Sequence, residues 1–389
     1  MIQSALVFGL HELTNSSQIY NSSIFLKKEK YITSNNKIDE LNIEIINSQK
    51  FSEISDFIYS EITTHEDFIS KSLKNKLTII QKKDDDKVKL VWYVSDKIIV
   101  SDNDIVFCQT ELVESFFEII SKDNNLKNLI LITNQSDREV DESLYLKKPQ
   151  SIKKWFSTNV NYQAEDLVAI PIGINNSYIK NFVHEEDFKT FNFDKFENKK
   201  DLFYNNYNLN TRPFHRLDTI WRLSKNKKAV IKQPNQSKNS YLNDLNNYKY
   251  IICPWGNGFD SHRIWEAIYS GSLAITKKSI AFESFETLPI ISLEKFNKNN
   301  LKKINFLSEK ANYALADFKY WKDLIYSEKI SLENRQYKLD GEKINNKFLS
   351  NKKLEDKKTA KFKKRRRFTF KLLKNILKIF SKKNLKNIL

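Results

Sequence analysis

Short, continuous apolar runs bounded by polar residues recur along the chain and constrain its fold more than any other feature. Examples are NLILIT at residues 128–133 and LVAIPIG at residues 167–173. Continuous runs of this length are typical of strands buried on both faces, as in a parallel sheet. Between such runs, ELVESFFEII at residues 111–120 places apolar residues at helical spacing. This order of strand, helix and strand predicts an α/β fold with doubly wound parallel sheets.

A second series of the same kind follows the charged, irregular stretch at residues 181–200. A helix is predicted over residues 212–225, with Pro213 at a first helical position. The predicted strands are DLFYNNYNL (201–209), YIICP (250–254), LAITK (273–277) and LPIISL (288–293). We therefore expect two Rossmann-like domains facing a cleft, over residues 1–195 and 196–335.

The basic charge of the chain is concentrated in a C-terminal tail at residues 345–389. Residues 351–389 hold 13 Lys and 3 Arg but only 2 acidic residues, which gives +14 of the net charge of +17. The rest of the chain is nearly neutral, which argues against a basic folded surface for nucleic acid. Within residues 368–389 an apolar face opposes a basic one, which predicts an amphipathic helix. The basic face carries Lys371, Lys374, Lys378 and Lys382. We expect residues 361–389 to bind an anionic membrane surface rather than nucleic acid.

The cysteines and the hydropathy indicate a reducing location. Cys108 and Cys253 both lie in apolar, strand-like runs and have no metal-site spacing, so buried free thiols are expected. The sequence shows no signal-peptide pattern and no run of ~18 apolar residues. We expect a cytoplasmic protein, held at the inner face of the membrane by its tail.

Three of the six glycines, Gly256, Gly258 and Gly271, lie within the segment CPWGNGFDSHRIWEAIYSGSLAIT at residues 253–276. The pattern predicts a strand, a glycine-containing turn, a helix and another strand. We call residues 253–261 the glycine loop. A turn of this kind presents backbone N–H groups and a helix N-terminus, which favour an anionic or polyhydroxyl ligand.

Polar side chains in and after the glycine loop add to this prediction. Asn257, Asp260 and His262 crowd polar groups into the turn. Arg263 can contact phosphate in bidentate fashion. Glu266 can accept hydrogen bonds from vicinal ribose hydroxyls. The alternative is that the turn is structural and that Arg263 and Glu266 only pair along a helix.

The same segment resembles the exostosin-like glycosyltransferases, whose C-terminal domain carries a pattern like SPxGNGxDxHRxWEALxxGxxPIV. The matching residues are Pro254, Gly256, Asn257, Gly258, Asp260, His262, Arg263, Trp265, Glu266, Ala267 and Gly271. LILITNQSD (129–137), WFSTN (155–159) and IPIGINN (170–176) are also similar to segments of that family. One departure is that Asn134 and Gln135 stand where the family pattern carries His-Asn.

The resemblance implies a two-domain fold of the GT-B type and sugar transfer from a nucleotide-sugar donor. The acceptor would be a glycan or a lipid-linked hydroxyl in surface polysaccharide synthesis. The donor would bind the second domain through Glu266 at the ribose and through Arg263 and the loop at the sugar or diphosphate. Arg212 and Arg216 are further candidates for the diphosphate, although a helix surface would explain both charges equally well. No cofactor or metal is expected, because GT-B enzymes commonly use cations and helix N-termini for the leaving diphosphate.

Three questions stay open at this point. Asp137, after the strand at 128–133, is the candidate general base but is also placed to cap a helix. A metal-dependent transferase using Asp102 and Asp104 is one alternative class. A non-enzymatic protein that binds a membrane or nucleic acid through the tail is the other.

Overall fold

The computed structural model describes residues 43–85, 88–179, 182–232, 234, 237–304, 312–329 and 335–352. Its strands are β1 (Phe57–Ile58), β2 (Ser60–Thr64), β3 (Leu77–Asp85), β4 (Val88–Ser95), β5 (Lys97–Ser101), β6 (Ile105–Gln109), β7 (Leu129–Asn134), β8 (Ile152–Ser157), β9 (Leu167–Ala169), β10 (Lys200–Asn205), β11 (Ala229–Ile231), β12 (Tyr248–Ile252), β13 (Leu273–Lys277), β14 (Ile290–Leu293) and β15 (Gln336–Asp340).

Helices connect most of these strands. The α-helices are α1 (Ser48–Glu53), α2 (His65–Ser72), α3 (Val113–Ile120), α4 (Glu142–Tyr145), α5 (Glu185–Thr190), α6 (Pro213–Leu223), α7 (Lys238–Asn247), α8 (His262–Tyr269), α9 (Lys298–Lys302), α10 (Phe318–Tyr326) and α11 (342–352). Short 3-10 helices span Thr110–Leu112, Phe196–Asn198, Ile280–Phe285 and Tyr313–Ala316.

Two five-stranded parallel sheets confirm the predicted α/β class. The first sheet has the order β1-β6-β7-β8-β9, and the second has the order β11-β10-β12-β13-β14. In the second sheet the order reverses between β10 and β12, which is the doubly wound arrangement. In the first sheet the five strands follow chain order. A topological switch point therefore lies at the carboxyl ends of β10 and β12, where open α/β sheets bind ligands.

Local sequence signals explain where the elements of the second sheet begin and end. Helix α6 begins at Pro213, as predicted, because proline needs no N–H partner in a first helical turn. Helix α8 ends two residues before Gly271, whose φ of +71° is the left-handed conformation that glycine adopts readily. Strand β13 then begins within two residues. The glycine thus turns the chain from α8 back into the sheet.

Three hydrophobic clusters form the core, and the middle one joins the two sheets. In β7, Leu129 and Leu131 face an outer cluster with α3, whereas Ile130 and Ile132 face the middle cluster. This alternation confirms that the strand is buried on both faces. The middle cluster also takes residues from β10, β12 and α8, including Trp265. A third cluster covers the opposite face of the second sheet. Both cysteines are free and buried, as predicted.

The chain returns to the first sheet region at its described end. Strand β15 pairs antiparallel with β5, so that Tyr337 lies opposite Val100. On α11, Nδ2 of Asn345 donates to the carbonyl of Ser95 over 3.1 Å. The tail lysines Lys371, Lys374, Lys378 and Lys382 lie outside the described residues. No helix in the described part of the chain is long and apolar enough to cross a bilayer.

Candidate ligand site where the two sheets meet

The glycine loop lies at the switch point of the second sheet. It leaves β12 at Cys253 and enters α8 at His262. Loops that follow the strands of the first sheet meet it there. The amide Nδ2 of Asn257 donates to Oδ2 of Asp137 over 2.9 Å, and Nη2 of Arg212 lies 3.1 Å from Oε1 of Glu139. The carboxyl edges of the two sheets therefore come together around this loop.

One side of the glycine loop is fastened to the first sheet, beginning at Gly258. A Cβ at this position would lie 2.6 Å from the side-chain amide of Asn159, which is closer than real atoms approach. Oδ1 of Asn159 accepts from the backbone N–H of Asp260 over 3.0 Å. Asn159 itself has a φ of +55°, so its backbone takes a conformation that few residues other than glycine tolerate. Glycine is therefore required at position 258, because the side chain of Asn159 occupies the space that a Cβ would need.

Asp260 and His262 continue this attachment. The carboxylate of Asp260 accepts from the indole N–H of Trp265 at 2.9 Å and from the backbone N–H of Ile172 at 2.8 Å. Nδ1 of His262 lies 2.8 Å from the carbonyl oxygen of Gly173. Burial raises the pKa of Asp260 to about 7, despite the hydrogen bonds that favour its charged form. We call Gly258, Asp260 and His262 the joining face.

The other side of the site carries Arg263 and Glu266 on α8. The hydroxyl of Tyr241 donates to Oε2 of Glu266 over 2.7 Å, and Nη1 of Arg263 donates to that hydroxyl over 3.2 Å. Tyr241 therefore stands between Arg263 and Glu266, and no direct ion pair joins the two within the described residues. Glu266 is 5% exposed, whereas Arg263 is partly exposed.

The guanidinium of Arg216 on α6 donates to the backbone carbonyls of Trp255 and Asn208, and its charge interacts unfavourably with that of Arg263. Burial lowers the pKa of Arg216 to about 10, and the positive charge of Arg263 contributes to this shift. For Arg263, burial opposes the charged form, but electrostatic interactions with Tyr241 and Glu266 outweigh it and raise the pKa. Among the ion pairs of the described residues, none includes Arg216 or Arg263. We call Arg216, Arg263, Glu266 and Tyr241 the arginine face.

Arg212 has a different role from Arg216. It precedes the first turn of α6 with a φ of +39°, and its Nη2 donates to the carbonyl of Asn257 over 2.9 Å. Its guanidinium lies 5.3 Å from the ring centre of Trp255 and pairs with Glu139. These partners hold the guanidinium of Arg212 at the contact between the two sheets. Gly256 lies nearer the arginine face, since a Cβ there would be 3.6 Å from Nη2 of Arg216.

Asp137 does not cap a helix in the structure. The N-cap of the next helix, α4, is Asp141, and the side chain of Ser136 accepts from the backbone N–H of Arg138. The exposed carboxylate of Asp137 instead faces Asn257. At the position of the family departure, Oε1 of Gln135 accepts from the backbone N–H of Ile62 over 2.6 Å. Gln135 thus holds strand β2 in place through Ile62.

Asp102 and Asp104 lie at the amino end of β6, whereas Asp137 and the glycine loop lie at carboxyl ends of strands. Oδ1 of Asp102 accepts from the backbone N–H of Lys127 over 2.7 Å, and Oδ2 of Asp104 accepts from that of Ser101 over 2.6 Å. The carboxylate of Asp104 therefore closes a turn, whereas that of Asp102 links this turn to the segment before β7. In the described part of the chain, no group of three or more His, Cys, Asp or Glu side chains could hold a metal ion.

Three residues at the site escaped the sequence prediction. Tyr241 lies on α7, in the segment SYLNDLNN, whose spacing predicts a helix but not the direction of a side chain. Glu139 follows Asp137 by two residues and contacts Arg212 across the sheets. Asn159 appeared only as part of the WFSTN similarity. No local pattern could have found these contacts, because each joins segments far apart in sequence.

Comparisons with known proteins add no assignment. No family model matches the chain, and no curated protein matches it. The similarity to exostosin-like glycosyltransferases therefore rests on the residues of the glycine loop, of α8 and of the three upstream segments.

Proposed function

We propose that the chain is a glycosyltransferase of the GT-B type that moves a sugar from a nucleotide-sugar donor to a hydroxyl of a glycan or lipid-linked acceptor. The observation that carries the proposal is the arginine face. Arg216 and Arg263 lie in the first turns of α6 and α8, the helices that follow the two strands at the switch point, and no ion pair among the described residues includes either.

Glu266 and Tyr241 offset the cost of the charge on Arg263, but burial and repulsion from Arg263 still disfavour the charge on Arg216. A bound anion would stabilise both cations. Guanidinium groups bind phosphate oxygens in bidentate fashion. A nucleoside diphosphate supplies the required charge and places its ribose within reach of a carboxylate. Glu266 and Tyr241 are suited to the ribose hydroxyls, since one can accept and the other can both donate and accept.

In the proposed reaction the acceptor oxygen forms a bond to the anomeric carbon of the sugar, and the bond from that carbon to the diphosphate oxygen breaks. The electron pair leaves with the nucleoside diphosphate, whose negative charge Arg216 and Arg263 stabilise. Asp137 is the candidate base that takes the proton of the acceptor hydroxyl. Its contact with Asn257 supports this role, because it places a carboxylate of the first domain beside the glycine loop.

The tail extends the proposal to the membrane. Residues 361–389 would hold the enzyme on the inner face of the cell membrane, where lipid-linked acceptors of surface polysaccharide synthesis have a raised effective concentration. Flotation of the full chain with vesicles tests this attachment. We expect binding to vesicles that contain anionic lipid and little binding to neutral ones. Equal binding to both would reject it.

Thermal-shift measurement of the full chain against nucleoside diphosphates and nucleotide sugars tests the enzyme proposal. A donor at ~100 times its Kd stabilises the folded state by about 2.7 kcal/mol. Glu266→Ala should abolish this shift, whereas Glu286→Ala, at an exposed carboxylate of the same domain, should retain it. No stabilisation of the native chain by any member of the panel would contradict the proposal.

A further inference from the structure

A cavity of about 830 Å³ lies between α3 and α11, and no residue of the arginine face lines it. Its size falls within the range of small-molecule sites in proteins, ~300–1,000 Å³. Phe117 on α3 and Phe348 on α11 supply apolar surface to its lining. The cavity exists because the chain returns to the first sheet region at its described end and lays α11 beside α3.

The charges that line this cavity are of both signs and nearly balanced. Glu111, Glu114 and Glu118 present carboxylates, and Arg138, Lys147, Lys347 and Lys352 present cations. Glu114 already pairs with Arg138 and Lys147. The remaining charged groups are two carboxylates, Glu111 and Glu118, and two ammonium groups, Lys347 and Lys352, so the lining has no strong preference for a charged ligand. A neutral polyhydroxylated ligand matches this lining, because each hydroxyl both donates and accepts.

The cavity adjoins the loop that carries Asp137. The hydroxyl of Ser136 donates to Oε1 of Glu111 over 3.1 Å, and Arg138 pairs with Glu114. The residues on either side of Asp137 are therefore bonded to side chains of the cavity wall, while Asp137 itself contacts Asn257. A ligand in the cavity lies against the same loop that presents the candidate base to the glycine loop.

We propose that this cavity binds a neutral glycan and holds the part of the acceptor that extends away from the reacting hydroxyl. Its place in the reaction rests on the glycosyltransferase function proposed above. Lys352 lines the cavity and belongs to the C-terminal tail, whose membrane-binding segment, residues 361–389, begins nine residues later. A tail bound to an anionic bilayer would bring the cavity to the membrane surface, where a membrane-borne glycan is available.

Selective blocking of the cavity tests the proposal. Glu118→Cys places a thiol on the exposed wall of α3, and a maleimide carrying a bulky polyethylene glycol chain then fills the cavity. Native Cys108 and Cys253 do not compete, since both are fully buried and burial raises the pKa of each thiol. Lys122→Cys, one turn further on and outside the cavity lining, receives the same reagent as the matched control.

The probe is a printed array of glycans, on which the native full chain should bind at least one structure. Labelling of the Glu118→Cys chain should weaken that binding at least about tenfold, a loss of ~1.4 kcal/mol, whereas the labelled Lys122→Cys chain should bind as the native chain does. Binding that survives labelling of the Glu118→Cys chain, or no glycan binding by the native chain, overturns the proposal.

Thermal shifts with nucleotide sugars are measured in parallel on the native chain. If no nucleotide sugar stabilises the native chain, the proposed function is overturned. The glycan array tests separately whether the cavity binds a glycan.

Discussion

The joining face and half of the arginine face, Arg263 and Glu266, come from one short segment, yet the charged groups of the two faces are used in opposite ways. Asp260 is 4% exposed, and its carboxylate is bonded to Trp265 and to Ile172 of the first domain. Arg263 is partly exposed, and its guanidinium donates to a neutral hydroxyl, that of Tyr241. A segment that resembles a ligand-binding pattern therefore has two roles. Some of its side chains hold the two sheets together, and its arginine, Arg263, remains available to a ligand.

The difference also separates two kinds of functional residue. Substitutions on the joining face should change the free energy of unfolding, because they break contacts between the sheets. Substitutions on the arginine face should change ligand affinity while the fold stays intact. Four predictions test this division, from the largest expected effect to the smallest.

The largest effect concerns the pH dependence of stability at Asp260. Its folded pKa of about 7 lies above the ordinary value of 3.8, so between these values the folded state keeps a proton that the unfolded chain releases. The free energy of unfolding should therefore fall as pH rises from ~4 to ~7, by about 4 kcal/mol. Asp260→Asn does not titrate and should lack this fall. Urea unfolding at a series of pH values measures it, and parallel profiles for the two proteins would contradict the expectation.

Arg263→Ala should weaken the binding of the stabilising nucleoside diphosphate roughly thirtyfold, or about 2 kcal/mol, because charge-assisted hydrogen bonds to phosphate are lost. Isothermal titration measures the affinity, and urea unfolding of the ligand-free chain should show a much smaller change. Arg222→Ala is the control, since Arg222 lies on the same helix as Arg216 but pairs with Asp218. Equal losses in the two variants would place the ligand elsewhere.

Gly258→Ala and Gly256→Ala form a matched pair within the glycine loop. The new methyl at Gly258 would meet the amide of Asn159 at 2.6 Å, whereas the one at Gly256 would meet Arg216 only at 3.6 Å. We expect a loss of about 1.5 kcal/mol in unfolding free energy for Gly258→Ala and little change for Gly256→Ala. Chemical denaturation compares them. A larger loss at Gly256 would show that the joining face is wrongly assigned.

The smallest effect is expected for Glu139→Gln, which removes the ion pair with Arg212. Both side chains are about one-third exposed, so solvent screening limits the contribution of the pair to about 0.5 kcal/mol. Arg212 keeps its bond to the carbonyl of Asn257 in this variant. Unfolding at low and high salt measures the loss, which should shrink as salt is added. A loss of several kcal/mol would make this ion pair a principal link between the sheets.

Much of the fold could be predicted because its signals are local. The apolar run of β7, the proline that opens α6 and the glycine that follows α8 each act within a few residues. The same holds for the strand, loop and helix around the glycine loop. Periodicity and turn chemistry are properties of neighbouring residues, and they fixed these elements without any knowledge of the tertiary contacts.

The contacts between distant segments could not be predicted. The sequence did not show that β4 pairs antiparallel with β2 and β3. The division of the glycine loop into two faces depends on Asn159 and Ile172, which lie about ninety residues earlier and carry no local sign of the contact. The pairing of Arg212 with Glu139 likewise depends on how the two sheets are placed.

The pairing of β5 with β15 has a consequence for how the protein is made. In the described structure β5 belongs to a two-stranded sheet whose other strand is β15, and Val100 meets Tyr337. At ~5–20 residues per second, the ribosome adds the second strand on the order of ten seconds or more after the first. During that interval β5 is an open edge that can pair with another nascent chain. Successful biosynthesis would therefore depend on keeping neighbouring chains apart, by a chaperone or by slow initiation, until the closing strand emerges.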